Sequence, residues 1–124
     1  MLTPKKFEGL ILKESLKDEK VLGLVNVVKT ETWNVKNAEK NQPKVWHAIY
    51  VEGESEKANE VAETLSKALS SPGWYTNLST DKHIFVIFPN KVFKYVTGDK
   101  EKREEAIKYG RKIGIPESQL DWKE

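Results

Sequence analysis

The sequence predicts an α+β fold with a largely antiparallel sheet and two helices on one face. It is organised as a ferredoxin-like βαββα unit over residues 45–122, including a C-terminal tail, plus an N-terminal β-hairpin over 9–33. Two observations predict this class. Short runs rich in β-branched and aromatic residues recur between turn residues, and two longer stretches repeat apolar residues with the helical period. The length of 124 residues fits one domain, 1–124.

The strands are predicted from residue type. Enrichment in Val, Ile, Phe, Tyr and Trp favours strand over helix. Lys17–Lys20 is short enough to reverse the chain and make the first two strands a hairpin, whereas 36–44 lacks an apolar period and predicts a mobile loop. The predicted strands are 9–16, 21–33, 45–51, 83–88 and 92–96, with a further extended segment beginning at 74–78.

Two helices are predicted from periodicity and capping. The first follows Gly53, with Glu54 or Ser55 as its cap, and its apolar stripe is Ala58, Val61, Ala62, Leu65, Ala68 and Leu69. The second begins at Asp99, a good N-cap, and runs to Ile113. Gly110 inside it costs about 1 kcal/mol relative to Ala, so we expect a close contact with its backbone. Gly114 suits the left-handed position that ends a helix.

The third and fifth strands carry apolar residues on both faces. An antiparallel sheet with one wet face should alternate apolar and polar residues, and these strands do not. If two helices cover one face, the other must meet the N-terminal hairpin, a second subunit or a ligand. In 46–51, one face carries Trp46, Ala48 and Tyr50, and the other carries His47, Ile49 and Val51.

The dipeptide Trp74-Tyr75 lies at the start of an extended segment, so its two side chains are expected to point to opposite faces. Both can be core aromatics. Alternatively, one of them lines a pocket on the second face, where indole N–H and phenol O–H groups suit a small-molecule site. The predicted ligand-binding residues are Trp46, Tyr50, Trp74 and Tyr75.

Composition excludes several function classes. The 21 Lys and Arg and 19 Asp and Glu are interspersed, which argues against duplex nucleic acid or an anionic membrane as the partner. Cysteine is absent, so disulfides, thiolate metal sites and cysteine nucleophiles are excluded. No apolar run approaches the roughly 20 residues of a membrane span, so we expect a cytoplasmic protein. No phosphate-cradling or dinucleotide motif is present, and neither a cofactor nor a metal is predicted.

The two histidines support an enzymatic alternative. His47 and His83 both lie on predicted central strands, and either could act as a general base oriented by Glu52 or Asp121. Half-buried structural histidines are the other interpretation. Two imidazoles without a third clustered ligand indicate no zinc site.

Single-stranded RNA binding is a second alternative. Phe85-Val86-Ile87-Phe88 echoes the F-V-x-F end of a strand in RNA-recognition modules, whose aromatic residues stack on bases. The glycine and earlier aromatic of that signature are replaced by His83 and Ile84, and the net charge is only +2. Nucleic acid is therefore not the expected partner.

Four segments carry a family resemblance. They are PGWY at 72–75, FVIFPNKVF at 85–93, YGR at 109–111 and GIPESQLDW at 114–122. Over roughly residues 44–122 the chain resembles a family of small uncharacterised prokaryotic proteins without a known activity. The resemblance implies a complete small protein and carries over no site residue.

Taken together, the sequence favours a non-enzymatic domain that uses an aromatic sheet face to bind a small apolar or aromatic ligand or a protein partner. Homodimerisation through the sheet is the simplest partner-based form. Exposed apolar patches of this kind mark interaction sites unless the chain covers them itself.

Overall fold

The computed structural model describes residues 6–35, 44–70, 74–115, 119–120 and 122. It has one six-stranded sheet in which every neighbouring pair is antiparallel. The α+β class with a largely antiparallel sheet is therefore confirmed. The predicted loop 36–44 lies outside the described residues except for Lys44. The strands are β1 Lys6–Leu12, β2 Asn26–Asn34, β3 Val45–Glu54, β4 Thr76–Ser79, β5 His83–Phe88 and β6 Lys91–Val96, and the α-helices are α1 Ala58–Ala68 and α2 Lys100–Lys112.

The predicted N-terminal hairpin is wrong, because the strand order is β2-β3-β1-β4-β5-β6 and β3 separates β1 from β2. The intervening residues form two 3₁₀ helices, Lys13–Ser15 and Glu19–Leu24, instead of a tight turn. Asp18 begins the second by accepting a hydrogen bond from the backbone N–H of Lys20. This helix packs on α1, and the burial of Val21 there outweighs its strand propensity.

Strand β1 lies between β3 and β4, the two strands of a crossover connection. β3 and β4 are both antiparallel to β1, so they run parallel to each other on either side of it, joined by α1. The unit predicted over 45–122 thus takes its central strand from the N-terminal segment. Its ferredoxin-like character is not confirmed.

The two helices lie on opposite faces of the sheet, which corrects their predicted placement on one face. In β5, Phe85 and Ile87 pack in a cluster with α1, whereas Ile84, Val86 and Phe88 pack in a second cluster with α2. Adjacent strand residues point to opposite faces, so the two clusters are separate layers. Each face of β5 therefore has its own helix, which explains why its residues are apolar on both sides.

The C-terminal segment completes the α2-side layer. Trp122 Nε1 donates to the Tyr95 hydroxyl at 2.9 Å inside this cluster, and the Arg103 guanidinium donates to the Trp122 carbonyl at 2.6 Å. The predicted close approach at Gly110 is confirmed, since a Cβ there would lie 2.7 Å from Leu120 Cδ2 and 3.2 Å from Phe88 Cε1. The glycine lets α2 lie directly on the sheet and the tail.

The helix ends follow the capping predictions in part. Asp99 caps α2 through its carboxylate, which accepts from the Lys102 N–H at 3.1 Å, and Gly114 adopts φ +96°. The predicted cap by Glu54 or Ser55 is wrong, because a 3₁₀ turn at Ser55–Lys57 leads into α1 and neither side chain caps it. No helix of the described residues combines the length and hydropathy needed to cross a membrane.

Gly9 in β1 tests this packing. A Cβ there would lie 2.3 Å from Leu78 Cδ2 and 2.9 Å from the Asn77 backbone oxygen. We expect Gly9→Ala to lower the free energy of unfolding by about 1–3 kcal/mol, measured by urea denaturation. The backbone of β1 is paired on both edges and cannot move away from Leu78 and Asn77 to make room for the methyl group. Gly23→Ala is the matched control, because nothing lies within 4 Å of its Cβ position, and equal effects of the two substitutions would contradict the placement of β1.

Candidate functional site

The α2-side face of the sheet is only partly covered. α2 packs on β6, at one edge, and the α2 cluster includes residues of β5 and β6 but none of β1, β2 or β3. Cross-strand register places half-buried side chains of four other strands on this face, since Leu10 is opposite both Tyr50 and Asn77 and Trp33 is opposite Trp46. We name this region the open half-face, formed by Leu10, Leu12, Trp33, Tyr50 and Asn77.

Two buried tryptophans pack against each other at one end of the open half-face. The rings of Trp46 and Trp74 lie 5.2 Å apart between centroids, tilted by 59°. Their exposed fractions are only 8% and 6%, yet neither belongs to the clusters under α1 and α2. Trp46 and Trp74 therefore support this surface, while Trp33 and Tyr50 remain accessible on it.

A carboxylate connects the accessible aromatic residues. The Tyr50 hydroxyl donates to Glu31 Oε1 at 2.7 Å and Trp33 Nε1 donates to the same oxygen at 3.3 Å. Lys29 Nζ lies 3.8 Å from Glu31 Oε2 and 4.6 Å from the Tyr50 ring centroid. The Tyr50 hydrogen bond lowers the pKa of Glu31, and the same bond raises the pKa of Tyr50. The network orients both rings at the edge of the open half-face.

Of the four predicted ligand-binding residues, Trp46 and Tyr50 share the face, and Trp74 contacts Trp46. Tyr75 points into the α2 cluster, where its ring lies 5.6 Å from Trp122 and its hydroxyl donates to the Gln119 carbonyl at 2.5 Å. Trp74 packs on Trp46 of the α2-side face and Tyr75 packs in the α2 cluster, so the predicted placement of this pair on opposite faces is not confirmed. The sequence prediction missed Leu10, Leu12, Trp33 and Asn77, although the alternation of Lys29, Glu31 and Trp33 with Thr30 and Thr32 marked one face of β2.

A histidine–glutamate pair lies on the opposite, α1-side face. Glu14, in the first 3₁₀ helix, accepts from the His47 backbone N–H at 2.5 Å, and its Oε2 lies 2.6 Å from His47 Nδ1. Because an ionised carboxylate only accepts hydrogen bonds, Nδ1 is the ring nitrogen that donates to Glu14, and Nε2 lies outside this contact. Burial raises the pKa of Glu14, but the backbone and side-chain hydrogen bonds from His47 outweigh it and the net pKa is lowered. The side chain of His47 is 52% exposed.

The predicted partners of His47 are elsewhere. Glu52 pairs with Lys6 at 3.4 Å, and Asp121 lies outside the described residues. The two histidines are also apart. Ile84, which follows His83, aligns through Ser79 and Glu8 with Glu52, five residues from His47 on β3. Five residues of strand span about 17 Å. His47 and His83 therefore belong to different regions of the sheet.

Other candidate chemistry finds less support. A pocket of about 190 Å³ lies between the second 3₁₀ helix and α1, lined by Asp18, Lys20, Val21, Glu63, Thr64, Lys67 and Ala68, away from all predicted site residues. Within the described residues, no three His, Cys, Asp or Glu side chains are grouped to hold a metal ion. The rings of Phe85 and Phe88 are in the core, 2% and 0% exposed, so this strand presents neither ring to a nucleic-acid base.

Comparisons with known proteins return no relatives. No family model matches the chain, and neither a curated protein nor a solved structure matches it. The chemistry of the site is therefore interpreted from its own residues.

The Glu14–His47 contact predicts a pH dependence of stability. Because the folded-state pKa of Glu14 is below its ordinary 4.5, the ionised carboxylate stabilises the fold above that value, and this contribution disappears as the pH falls through the lowered folded pKa. We expect the free energy of unfolding of the native chain to fall more steeply below about pH 5 than that of Glu14→Gln.

Urea denaturation at a series of pH values measures this difference. Glu60→Gln, which removes an exposed carboxylate on α1, is the control and should follow the native profile. Identical slopes for the native chain and Glu14→Gln would contradict a stabilising, ionised Glu14.

Proposed function

We propose that this protein is a non-enzymatic binding domain that holds a small planar apolar or aromatic ligand on the open half-face. One observation carries the proposal: Leu10, Leu12 and Tyr50 are half-buried neighbours on adjoining strands and lie outside both helix-covered clusters. Half-buried Trp33 also lies outside these clusters and is joined to Tyr50 through Glu31. Contiguous apolar patches rimmed by polar groups mark binding surfaces. Strands β1 and β3 supply a rigid support, because each pairs on both edges.

The polar groups at the edge indicate the ligand's chemistry. Leu10 and Leu12 offer flat apolar contact, and the Tyr50 ring adds an aromatic edge oriented by Glu31. A carboxylate has about four acceptor positions, and the three contacts from Tyr50, Trp33 and Lys29 leave capacity for one more donor. The Asn77 amide can both donate and accept. The favoured ligand therefore has a planar apolar body with an N–H or ammonium donor at one end.

Tryptamine, a planar indole with an ammonium group, is a suitable probe. In an NMR titration, we expect amide shift changes concentrated at Leu10, Leu12 and Tyr50. Leu12→Ser should weaken binding about tenfold, since part of a leucine contact is lost. Val96→Ser, the same type of apolar-to-hydroxyl change at an exposed site on the far edge strand, should leave binding unchanged. Shifts spread over the surface, or equal affinity in Leu12→Ser, would count against the proposal.

A second candidate function is general base catalysis by His47. It rests on the Glu14 carboxylate, which orients the ring as the third group of a catalytic constellation does. The accessible Nε2 can take a proton from water or a substrate hydroxyl. His83 has no comparable carboxylate contact within the described residues.

Hydrolysis of p-nitrophenyl acetate separates the two histidines. If His47 is a general base, His47→Gln should lower the rate at least tenfold and His83→Gln should not, since general bases contribute about 10²–10⁴-fold. Equal rates for the native protein and His47→Gln would eliminate this candidate.

A further inference from the structure

Strand β2 is a long edge strand with an accessible outer side. It is the terminal strand of the sheet and pairs only with β3 among the described strands. Apart from half-buried Trp33, all of its nine residues Asn26–Asn34 are exposed, including Val27 at 50% and Val28 at 59%. An edge strand of this kind presents backbone N–H and C=O groups that can pair with another strand.

The sequence of β2 is complementary to itself when read antiparallel. With Thr30 placed opposite the same residue of a second copy, Lys29 lies opposite Glu31. Lys29 and Glu31 share one face of β2, because they align with Tyr50 and Ala48 on the same face of β3. Opposite charges directly across an antiparallel pair are stabilising. If a two-fold axis relates the two copies, each of these cross-strand contacts occurs twice in the pair.

We propose that two copies of this chain pair their β2 strands antiparallel around a two-fold axis at Thr30, which continues the sheet through both copies. A second copy fits better than an unrelated peptide, because one register places Lys29 and Glu31 of each strand opposite the reverse charge of the other strand.

Two features of β2 ordinarily protect an edge, and both agree with this register. A register irregularity between Val27 and Lys29 ends regular pairing near Val28. Two-fold symmetry imposes the same limit on the other side of the axis, so the paired stretch is confined to the residues around Thr30. Lys29 deters pairing with a strand that places another cation opposite it. A second copy places Glu31 there, which adds an acidic neighbour to the Glu31 of the same chain.

The arrangement has a consequence for the open half-face. A two-fold axis perpendicular to the sheet keeps the same face of both copies on the same side. The two open half-faces then adjoin across the axis, with Trp33 of each copy on the paired strands and Tyr50 one strand further in. The pairing itself does not depend on the ligand proposal.

Charge reversal tests the register. Size-exclusion chromatography with light scattering and native mass spectrometry should show a dimer for the native chain. Lys29→Glu places Glu opposite Glu31, and Glu31→Lys places Lys opposite Lys29, so each variant should dissociate at least tenfold more readily. Mixing the two variants should restore a mixed dimer, because each strand then meets the opposite charge at both positions. The combined variant K29E/E31K should dimerise alone.

Glu104→Lys, on the exposed face of α2, is the matched control and should remain dimeric. The restored mixed dimer also shows that the single variants are folded. A native chain that stays monomeric, single variants that remain dimeric, or a mixture that fails to form the mixed dimer would each overturn the proposal.

Discussion

Strand β1 holds the sheet together, since it is the described strand that pairs with β3 along one edge and β4 along the other. Without it, β3 and β4 would be connected only through α1. Two close neighbours fix its position: the Leu78 side chain and the Asn77 carbonyl approach Gly9 so closely that no Cβ fits between them. Because the partners of β1 are distant in sequence, as Leu10 with Tyr50 and Asn77 shows, the centre of the sheet forms from long-range contacts.

The position of β1 determines which surfaces are covered. α1 spans the crossover from β3 to β4 and packs on one face together with the second 3₁₀ helix, so Ile11, Ile49 and Leu78 are in a continuous core. On the other face, α2 and the C-terminal residues reach β5 and β6, where Phe88 and Trp122 are buried. The outer strands on that side carry Tyr50 and Trp33 without such a layer. The open half-face is thus a product of the topology.

Local signals in the sequence predicted the elements well and their arrangement poorly. The apolar stripe from Ala58 to Ala68, the β-branched run at 83–88 and the Asp99 cap act over a few residues, and each identified its element correctly. The pairing of β1 with β3 and β4 is non-local, and no turn signal encodes it. The β-branched residues at 21–25 favoured a strand, but burial of Val21 beneath α1 made this segment a 3₁₀ helix.

For the candidate sites, too, local sequence signals were informative and contacts between distant segments were not predicted. Trp46 and Tyr50 share one face of β3, as predicted. The partner of His47 is Glu14, not Glu52 or Asp121 as predicted, because it depends on how the 3₁₀ helix after β1 meets β3. Trp33 and Leu10 joined the site only once the strand order was known. The sequence therefore showed which types of side chain could form a site, but it did not show which of them lie close together in the fold.

One half of the α2-side face is accessible to solvent and the other half is buried under α2 and the C-terminal residues. Paramagnetic relaxation by a soluble nitroxide, measured on methyl groups by NMR, distinguishes the two halves. We expect strong broadening of the Leu10 and Leu12 methyl signals and little broadening for Ile84 and Val86 on the same face. Equal protection of all four residues would contradict this expectation.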